Sequence, residues 1–303
     1  MKILFLDHDP ILGGGQVMAQ RLLPALRGRG LSIDALVGCA ELDGGPIPRT
    51  LRGLRRAMRG YDLVYANTAR PAIAAALTAR PFLWHKHHGE STRLQRMFVS
   101  RRARRVVCVA RFGAPKGDNV RVVYNGVPPQ EADPAPDLPA GPKILIAGRI
   151  DPEKGHDIAA RALGYMKRRA TLVVAGPGAW FPPPNDRVLL LGLRRDVPAL
   201  LAGCDVLLSA SRCDEGFSLV VAEAQMAGVP VVATRSGGIP EIVREGETAF
   251  LVPKEDPVRM ARALDNALAV DRTAWSRAAR AYAQRFRLDR CADEIAAVIR
   301  ECL

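Results

Sequence analysis

The sequence predicts an α/β protein built from two doubly wound domains, and three observations carry that expectation. Short, nearly continuous apolar segments of strand length alternate with helix-like stretches along the chain. Strands of this kind read as a parallel sheet covered on both faces, since a strand buried on both sides shows no polar alternation. A proline-rich break at 128–142 divides the alternation into two halves. At 303 residues, with 48% hydrophobic and 25% charged, the chain is long enough for two domains of ordinary globular composition.

The elements follow in order. The N-terminus "MKILFLDHDP" turns acidic after one short apolar run, so it is expected as a first strand and not as a signal peptide. "GGG" at 13–15 is a turn, and "QVMAQRLLPALRGRG" is an amphipathic helix closing in glycine. "SIDALVG", "LVYAN", "FLWHKHH", "RRVVCVA" and "VRVVYNGV" supply further strands, with helix-like stretches such as "RPAIAAALTAR" between several of them. "PPQEADPAPDLPAGP" has almost no periodicity and is expected as a linker. A second alternation runs through "KILIAG", "TLVVAG", "VLLLG", "DVLLSAS", "VPVVAT" and "AFLVP", and helices close the chain from about 257 to 303. The expected division is an N-terminal domain 1–127, the linker 128–142 and a C-terminal domain 143–286. Two such domains on one linker make a cleft, and open α/β sheets hold ligands at the carboxyl ends of their strands. No fixed-period repeat is present, and no uninterrupted apolar run is long enough to span a bilayer.

Charge and cysteine usage narrow the function classes. Net charge is +13, and residues 1–140 hold 21 Lys and Arg against 11 Asp and Glu. Dense basic runs lie at "RGLRRAMRG" (52–60) and "RLQRMFVSRRARR" (93–105). They suit phosphates or an anionic membrane, met through Arg101, Arg102, Arg104 and Arg105, or they are simply a solvated arginine-rich surface. Nucleic acid is not an expected partner, because the first half offers few aromatics for base stacking and no nucleic-acid motif. The six cysteines (39, 108, 204, 213, 291, 302) form no CxxC pair, which argues against zinc or a disulfide framework and for a reduced, cytoplasmic protein.

Three motifs carry chemistry. In "DHDPILGGGQ", glycines between a strand and a helix permit close backbone approach, and the helix start offers N–H groups to an anion. The pattern is neither GxGxxG nor GxxxxGK[ST], so a ligand-free tight turn is the plain reading. In "AGRIDPEKGHD" (147–157), Arg149 and Lys154 project from the loop after a strand. Two cations there suit a diphosphate, and an exposed basic pair is the plain reading. In "CDEGFSLVVAEAQMAG" (213–228), Ser218 is the N-cap candidate of a helix from about Leu219 to Ala227 that closes at Gly228. Glu215 falls in the loop before that helix and Glu223 on its second turn; by themselves they read as a surface loop and a solvated helix position.

Together with "VPVVATRSGGIPEIVREGETAFLVP" (229–253), these residues resemble glycosyltransferase family 4. The resemblance is dense over 143–256 and thinner in the first half, where it rests on "GGG", "HHG" (87–89) and "VYNGV" (123–127). It implies a GT-B fold, two Rossmann-like domains facing each other across a cleft, and a retaining transferase that uses a nucleoside-diphosphate sugar of UDP or GDP type. It places Glu223 on the ribose and Glu215 on the transferred sugar, with Gly216, Phe217, Ser218 and Leu219 presenting backbone N–H groups to the sugar and distal phosphate. Arg149 and Lys154 match the family's diphosphate-binding pair, Gly14 and Gly15 its N-domain phosphate loop, and His88 a histidine near the sugar. The choice of His88 over His85 and His87 rests on its place before Gly89. The resemblance implies neither metal nor cofactor, and it assigns no side chain as a firm nucleophile, Glu215 being the weaker option. The terminal helix, about 287–303, is expected to return to the first domain as in many GT-B proteins, a simple cap on the second domain being the alternative. Two departures stand out: the first half is short, leaving less material for an acceptor pocket, and Ala249 stands where the family usually has glycine.

Two other readings stay open. One is a non-catalytic GT-B subunit that binds a partner enzyme or a membrane, with its basic half as the interaction face; the expected location in either case is the cytoplasm, with peripheral contact at the inner face of the membrane. The other is a nucleotide-sugar epimerase. The acceptor, the sugar and the base are not legible.

Overall fold

The computed structural model describes residues 2–87, 92, 95–179 and 186–302, and the chain divides into two compact units. The first comprises the chain up to Gly126 together with Phe286–Leu303; the second is Val127–Arg285.

In the first unit β1 (Lys2–Asp7) is buried from Ile3 onward and leads into α1 (Gly14–Arg27). There follow β2 (Ser32–Val37), β3 (Gly45–Pro46), α2 (Leu51–Ala57), β4 (Leu63–Ala66) and α3 (Ala69–Leu77). Next come β5 (Phe82–Lys86), a π-helical turn (Gln95–Val99), α4 (Ser100–Arg102), β6 (Arg105–Cys108) and β7 (Val120–Val122). All the described strand pairs are parallel, in the order β3-β2-β1-β4-β5-β6-β7, so the winding reverses between β1 and β4. The β3 strand was not legible in the sequence. It is two residues long and ends in proline, which a sheet accepts at an edge because no ladder donor is needed there.

The second unit has β8 (Lys143–Ala147), α5 (His156–Leu163), β9 (Thr171–Ala175), β10 (Val188–Gly192), α6 (Val197–Gly203) and β11 (Val206–Ser209). It continues with α7 (Leu219–Ala227), β12 (Val231–Thr234), β13 (Ala249–Val252), α8 (Pro257–Ala267) and α9 (Arg272–Ala283). The sheet is again parallel, in the order β10-β9-β8-β11-β12-β13, with the reversal between β8 and β11. The apolar character of these strands is explained by what they bury: Ile144, Leu172, Val174, Val206, Leu208 and Val232 form one core with the inner faces of α5 and α8. Each such side chain contributes roughly 1.5–3 kcal/mol on burial. Aspartates start the last two helices, Asp256 accepting from the Arg259 N–H at 2.9 Å and Asp271 from the Thr273 N–H at 2.9 Å.

The proline-rich stretch expected as a linker packs on the second unit. The Ala135 N–H donates to the Ala199 carbonyl at 3.1 Å, Arg194 pairs with Asp137, and Leu138 lies so close to Gly203 that a Cβ there would stand 2.4 Å from it. Backbone and side-chain pairing replace the regular periodicity that the segment lacks.

The last helix, α10 (Leu288–Glu301), belongs to the first unit and packs on α1. Its buried face is Cys291, Ala292, Ile295, Ala296, Val298 and Ile299, the spacing of an amphipathic helix. Arg29 pairs with Asp293 at 2.6 Å and Arg105 with Glu301 at 2.8 Å. Gly126 lets α10 in, since a Cβ there would lie 2.6 Å from the Leu288 Cα. Arg105, expected with its neighbours on an open basic face, is thus engaged by the terminal helix; Arg102 lies over the Phe98 ring at 4.0 Å, while Arg101 and Arg104 are exposed. Among the described residues no helix is long and apolar enough to cross a membrane, and all six cysteines are unbridged.

Candidate functional site

The carboxyl ends of β8, β11 and β12 hold most of the residues singled out by the sequence. After β8 the chain passes Gly148 and the exposed Arg149, then makes a turn capped by Asp151, whose carboxylate accepts from the Glu153 N–H at 2.9 Å. Gly155 closes the turn with φ +66°, where a Cβ would stand 2.1 Å from the Ala210 carbonyl oxygen. Only glycine combines that left-handed backbone with so close an approach. The loop after β8 is thereby pressed against the end of β11.

Arg212 fastens the two loops together. Its backbone N–H donates to the Glu153 carbonyl at 2.7 Å, one guanidinium nitrogen donates to the Pro152 carbonyl at 2.6 Å, and another pairs with Asp157 at 2.6 Å. A third bond goes to Glu255. With the loops so held, Lys154 Nζ lies 2.6 Å from Glu215 Oε1, and Ser211 Oγ donates to the same oxygen at 2.5 Å. Burial alone would lower the Lys154 pKa, but the adjoining Glu215 carboxylate outweighs it and holds the ammonium above its ordinary value. Lys154 is therefore a fixed cation. The Cys213 thiol beside it is pushed up, chiefly by burial and then by Glu215, so it is a poor nucleophile.

The Glu215 backbone is clasped by the glycine pair after β12. The Gly238 N–H donates to the Glu215 carbonyl at 2.7 Å, and the Glu215 N–H donates to Ser236 Oγ at 3.3 Å. Gly237 has φ +51°, and a Cβ there would lie 2.1 Å from the Glu215 carbonyl oxygen. Next door, Asp214 accepts from Lys254 Nζ at 2.5 Å and from the Gly237 N–H at 3.2 Å.

From Glu215 the chain runs through the buried Gly216, Phe217 and Ser218 and the half-buried Leu219 into α7. Ser218 takes the N-cap with extended backbone, as expected, but its hydroxyl makes no bond to the helix; the first-turn N–H groups keep their dipole end without a side-chain cap. Gly228 closes the helix at φ 76°. Glu223 departs from the sequence-based reading of a solvated helix position: it is 5% exposed. The reason is packing on several sides, since α7 meets β11, β12, α6 and α9, and every residue from Val221 to Met226 is buried. A carboxylate held in such a place is costly unless hydrogen-bonded.

The other residues singled out lie in the first unit. Gly14 and Gly15 open α1, and a Cβ on Gly15 would meet the His87 ring at 3.3 Å. The turn is held by groups the sequence reading missed. Asp7, fully buried, accepts from Gln16 Nε2 at 3.0 Å, from Asn67 Nδ2 at 2.7 Å and from the Asp9 N–H at 3.0 Å. Gln16 Oε1 in turn accepts from the Gly13 N–H at 3.1 Å. Because the Asn67 amide nitrogen faces a carboxylate, its Oδ1 faces His87 Nε2 at 2.8 Å, which makes that nitrogen the donor. The signal was a polar residue closing an otherwise apolar strand, in "KILFLD" and "LVYAN". His85 is a core residue: its Nδ1 lies 2.6 Å from the Tyr65 hydroxyl, and burial lowers its pKa to about 3. His88 lies outside the described residues.

Residues 141–269 match the family model of the glycosyl transferases group 1. The D-inositol 3-phosphate glycosyltransferase of Saccharomonospora viridis is 34% identical over 220 residues, 61% of this chain and 51% of that protein. Its counterpart from Salinispora tropica is 32% identical over 223 residues, 65% of this chain and 45% of that protein. The chain thus spans about half the length of the curated relatives it matches. Among solved structures, HepE of Anabaena in complex with UDP superposes with a TM-score of 0.82 at 23% identity, covering 99% of this chain and 100% of that one. HepE has also been solved with UDP and glucose and with UDP-glucose. This likeness shows the fold of the chain, the GT-B class with two parallel-sheet Rossmann-like domains.

Proposed function

We propose that the chain is a retaining glycosyltransferase of family 4, transferring a sugar from a UDP- or GDP-sugar to a separate acceptor without a metal ion or other cofactor. The observation that carries the reading is the Lys154–Glu215 pair at 2.6 Å. It joins two motifs distant in sequence at the strand ends where α/β sheets take ligands, beside the uncapped start of α7. The group 1 match over 141–269, the inositol-phosphate glycosyltransferases among the relatives and the UDP-glucose complex of HepE support it.

In this reading Glu223 accepts hydrogen bonds from the ribose hydroxyls and Glu215 from those of the sugar. The backbone N–H groups of Gly216 to Leu219 hold the sugar and distal phosphate. Arg149 and Lys154 neutralise the diphosphate as it leaves, the kind of electrostatic contribution that is usually largest in catalysis. The leaving phosphate takes the acceptor's proton on the same face, so no side chain serves as nucleophile. Gly14 and Gly15 enter the proposal as a phosphate-binding helix start, and His88 as a sugar-side histidine.

The proposal extends to work in the cytoplasm, at the inner face of an anionic membrane. The exposed Arg101, Arg102 and Arg104 support that contact, at about 1 kcal/mol per basic residue near such a surface.

Thermal stabilisation by nucleoside diphosphates tests the reading. UDP or GDP at a hundredfold excess over its dissociation constant should add about 2.7 kcal/mol to the wild type, and Glu223→Ala and Lys154→Ala should each lose most of it. A wild type indifferent to every nucleoside diphosphate, or variants that respond like the wild type, would sink the proposal.

A further inference from the structure

The loops that follow β8, β11, β12 and β13 carry the basic side chains Arg149, Lys154, Arg212, Arg235, Arg244 and Lys254. Each lies within ion-pair distance of a carboxylate: Arg149 of Asp151, Lys154 of Glu215, Arg212 of Asp157, Arg235 of Glu245, Arg244 of Glu247 and Lys254 of Asp214. Among the described residues, then, these strand ends hold no spare positive charge. A diphosphate arriving at Lys154 meets a cation that already has its counter-ion.

The carboxylates differ in what else holds them. Asp151 also accepts from the Glu153 N–H at 2.9 Å, and Asp214 from the Gly237 N–H at 3.2 Å, so each serves its own turn. Arg212 is fixed to the Pro152 carbonyl as well as to Asp157. Glu215 is held at one oxygen only: Lys154 Nζ, at 2.6 Å, and Ser211 Oγ, at 2.5 Å, converge on Oε1, and among the described residues Oε2 accepts nothing. Its backbone is clasped by Ser236 and Gly238, so the side chain turns without moving the loop. The Lys154 ammonium has three N–H groups, and Glu215 takes one of them. The pair is mostly buried, with side-chain exposures of 28% and 16%, so its attraction is weakly screened.

We infer that Glu215 is the exchangeable counter-ion of Lys154, and that this exchange makes the site favour a sugar-bearing diphosphate over the bare one. A bare diphosphate leaves the carboxylate beside it with nothing to replace Lys154, and the two anions repel. A sugar on the same diphosphate brings hydroxyl donors that take over Glu215 while the phosphates take the ammonium. Once the sugar has left, the pair closes again and expels the product. Specificity of this kind is a difference of two affinities, set here by a repulsion as much as by an attraction. The sugar half of the inference rests on the transferase reading; the competition for Lys154 stands on the ion pairs alone.

Isothermal titration calorimetry at constant ionic strength separates the two. Wild type, Glu215→Gln, Glu215→Ala and the double variant Lys154→Met/Glu215→Gln are titrated with pyrophosphate, UDP, GDP, UDP-glucose and GDP-glucose. Removing the carboxylate charge should tighten pyrophosphate roughly tenfold or more, because a unit charge a few ångströms from an anion is worth at least that much. The double variant, which has no ammonium at 154, should lose the gain. A residue that only touches the sugar would leave pyrophosphate unchanged, and one that only shapes the loop would weaken it. For at least one sugar nucleotide the affinity relative to its bare diphosphate should fall by a similar factor in the neutral variants. The alanine variant carries the same expectation should the glutamine variant fail to fold. Unchanged or weaker pyrophosphate binding in the neutral variants, a gain that persists in the double variant, or no fall in either ratio overturns the inference. Tighter pyrophosphate binding with no form of the chain binding UDP or GDP would support the competition and sink the donor reading instead.

Discussion

Gly237→Ala puts a Cβ where the loop carrying Glu215 has no room for one, and a matched glycine isolates that effect. Gly237 and Gly246 both have positive φ, +51° and +81°. Alanine in the left-handed region costs about 1–2 kcal/mol, partly offset by the roughly 0.4–1 kcal/mol that replacing glycine gains through the unfolded chain. At Gly246 nothing lies within 4 Å, so Gly246→Ala bears only that backbone cost. At Gly237 the new Cβ would stand 2.1 Å from the Glu215 carbonyl oxygen and 2.8 Å from its nitrogen. The Glu215 backbone would have to retreat by about 0.9 Å to restore a 3.0 Å contact, straining the bond from the Gly238 N–H. Overpacking of this kind costs about 1–3 kcal/mol. Gly237→Ala should therefore be about 2 kcal/mol less stable than Gly246→Ala, or roughly 4–8 °C in Tm for a unit of this size. Scanning calorimetry of the two variants measures the difference, and UDP titration should show weaker affinity in Gly237→Ala alone. Equal melting temperatures and equal UDP affinities would refute the claim that the glycine pair sets the position of Glu215.

Further outcomes concern the first unit. Asp7→Asn turns one acceptor of a fully buried carboxylate into a donor that faces Gln16 Nε2 or Asn67 Nδ2, and should cost about 1–3 kcal/mol in urea unfolding. Hydrogen exchange should rise over 13–16 at the same time, and protection unchanged there would show that the network does not hold the glycine turn. His85 has its pKa lowered to about 3 against an ordinary 6.5, so the unfolded chain binds the proton that the folded protein refuses. Its contribution to stability is fully present above about pH 6.5 and is lost as pH falls towards 3, at up to roughly 1.4 kcal/mol per unit. His85→Gln should flatten the fall in urea midpoint over that window, whereas a slope equal to that of the wild type would contradict the burial argument.

Much of this was legible because near-continuous apolar strands leave few alternatives to a covered parallel sheet. The end of α7 was also legible, since Gly228, at φ +76°, closes the helix in a conformation that other residues resist. What escaped was set by contacts between distant segments. Nothing near Arg212 in sequence reveals that it bridges Asp157, Glu255 and the Pro152 carbonyl. Glu223 looked solvated because helical periodicity supposes one polar face, and α7 is covered on several sides. The stretch 128–142 looked like a linker because it packs through Asp137, Leu138 and single backbone bonds, which leave no periodic trace.

The central claim is that Lys154, Glu215 and Glu223 serve one nucleotide-sugar donor. The most direct measurement is release of nucleoside diphosphate from a panel of UDP- and GDP-sugars, for the wild type, Lys154→Ala and Glu223→Ala. The account predicts release from at least one donor by the wild type and its loss in both variants. Release that survives both substitutions, or a wild type that neither binds nor consumes any member of the panel, would contradict it.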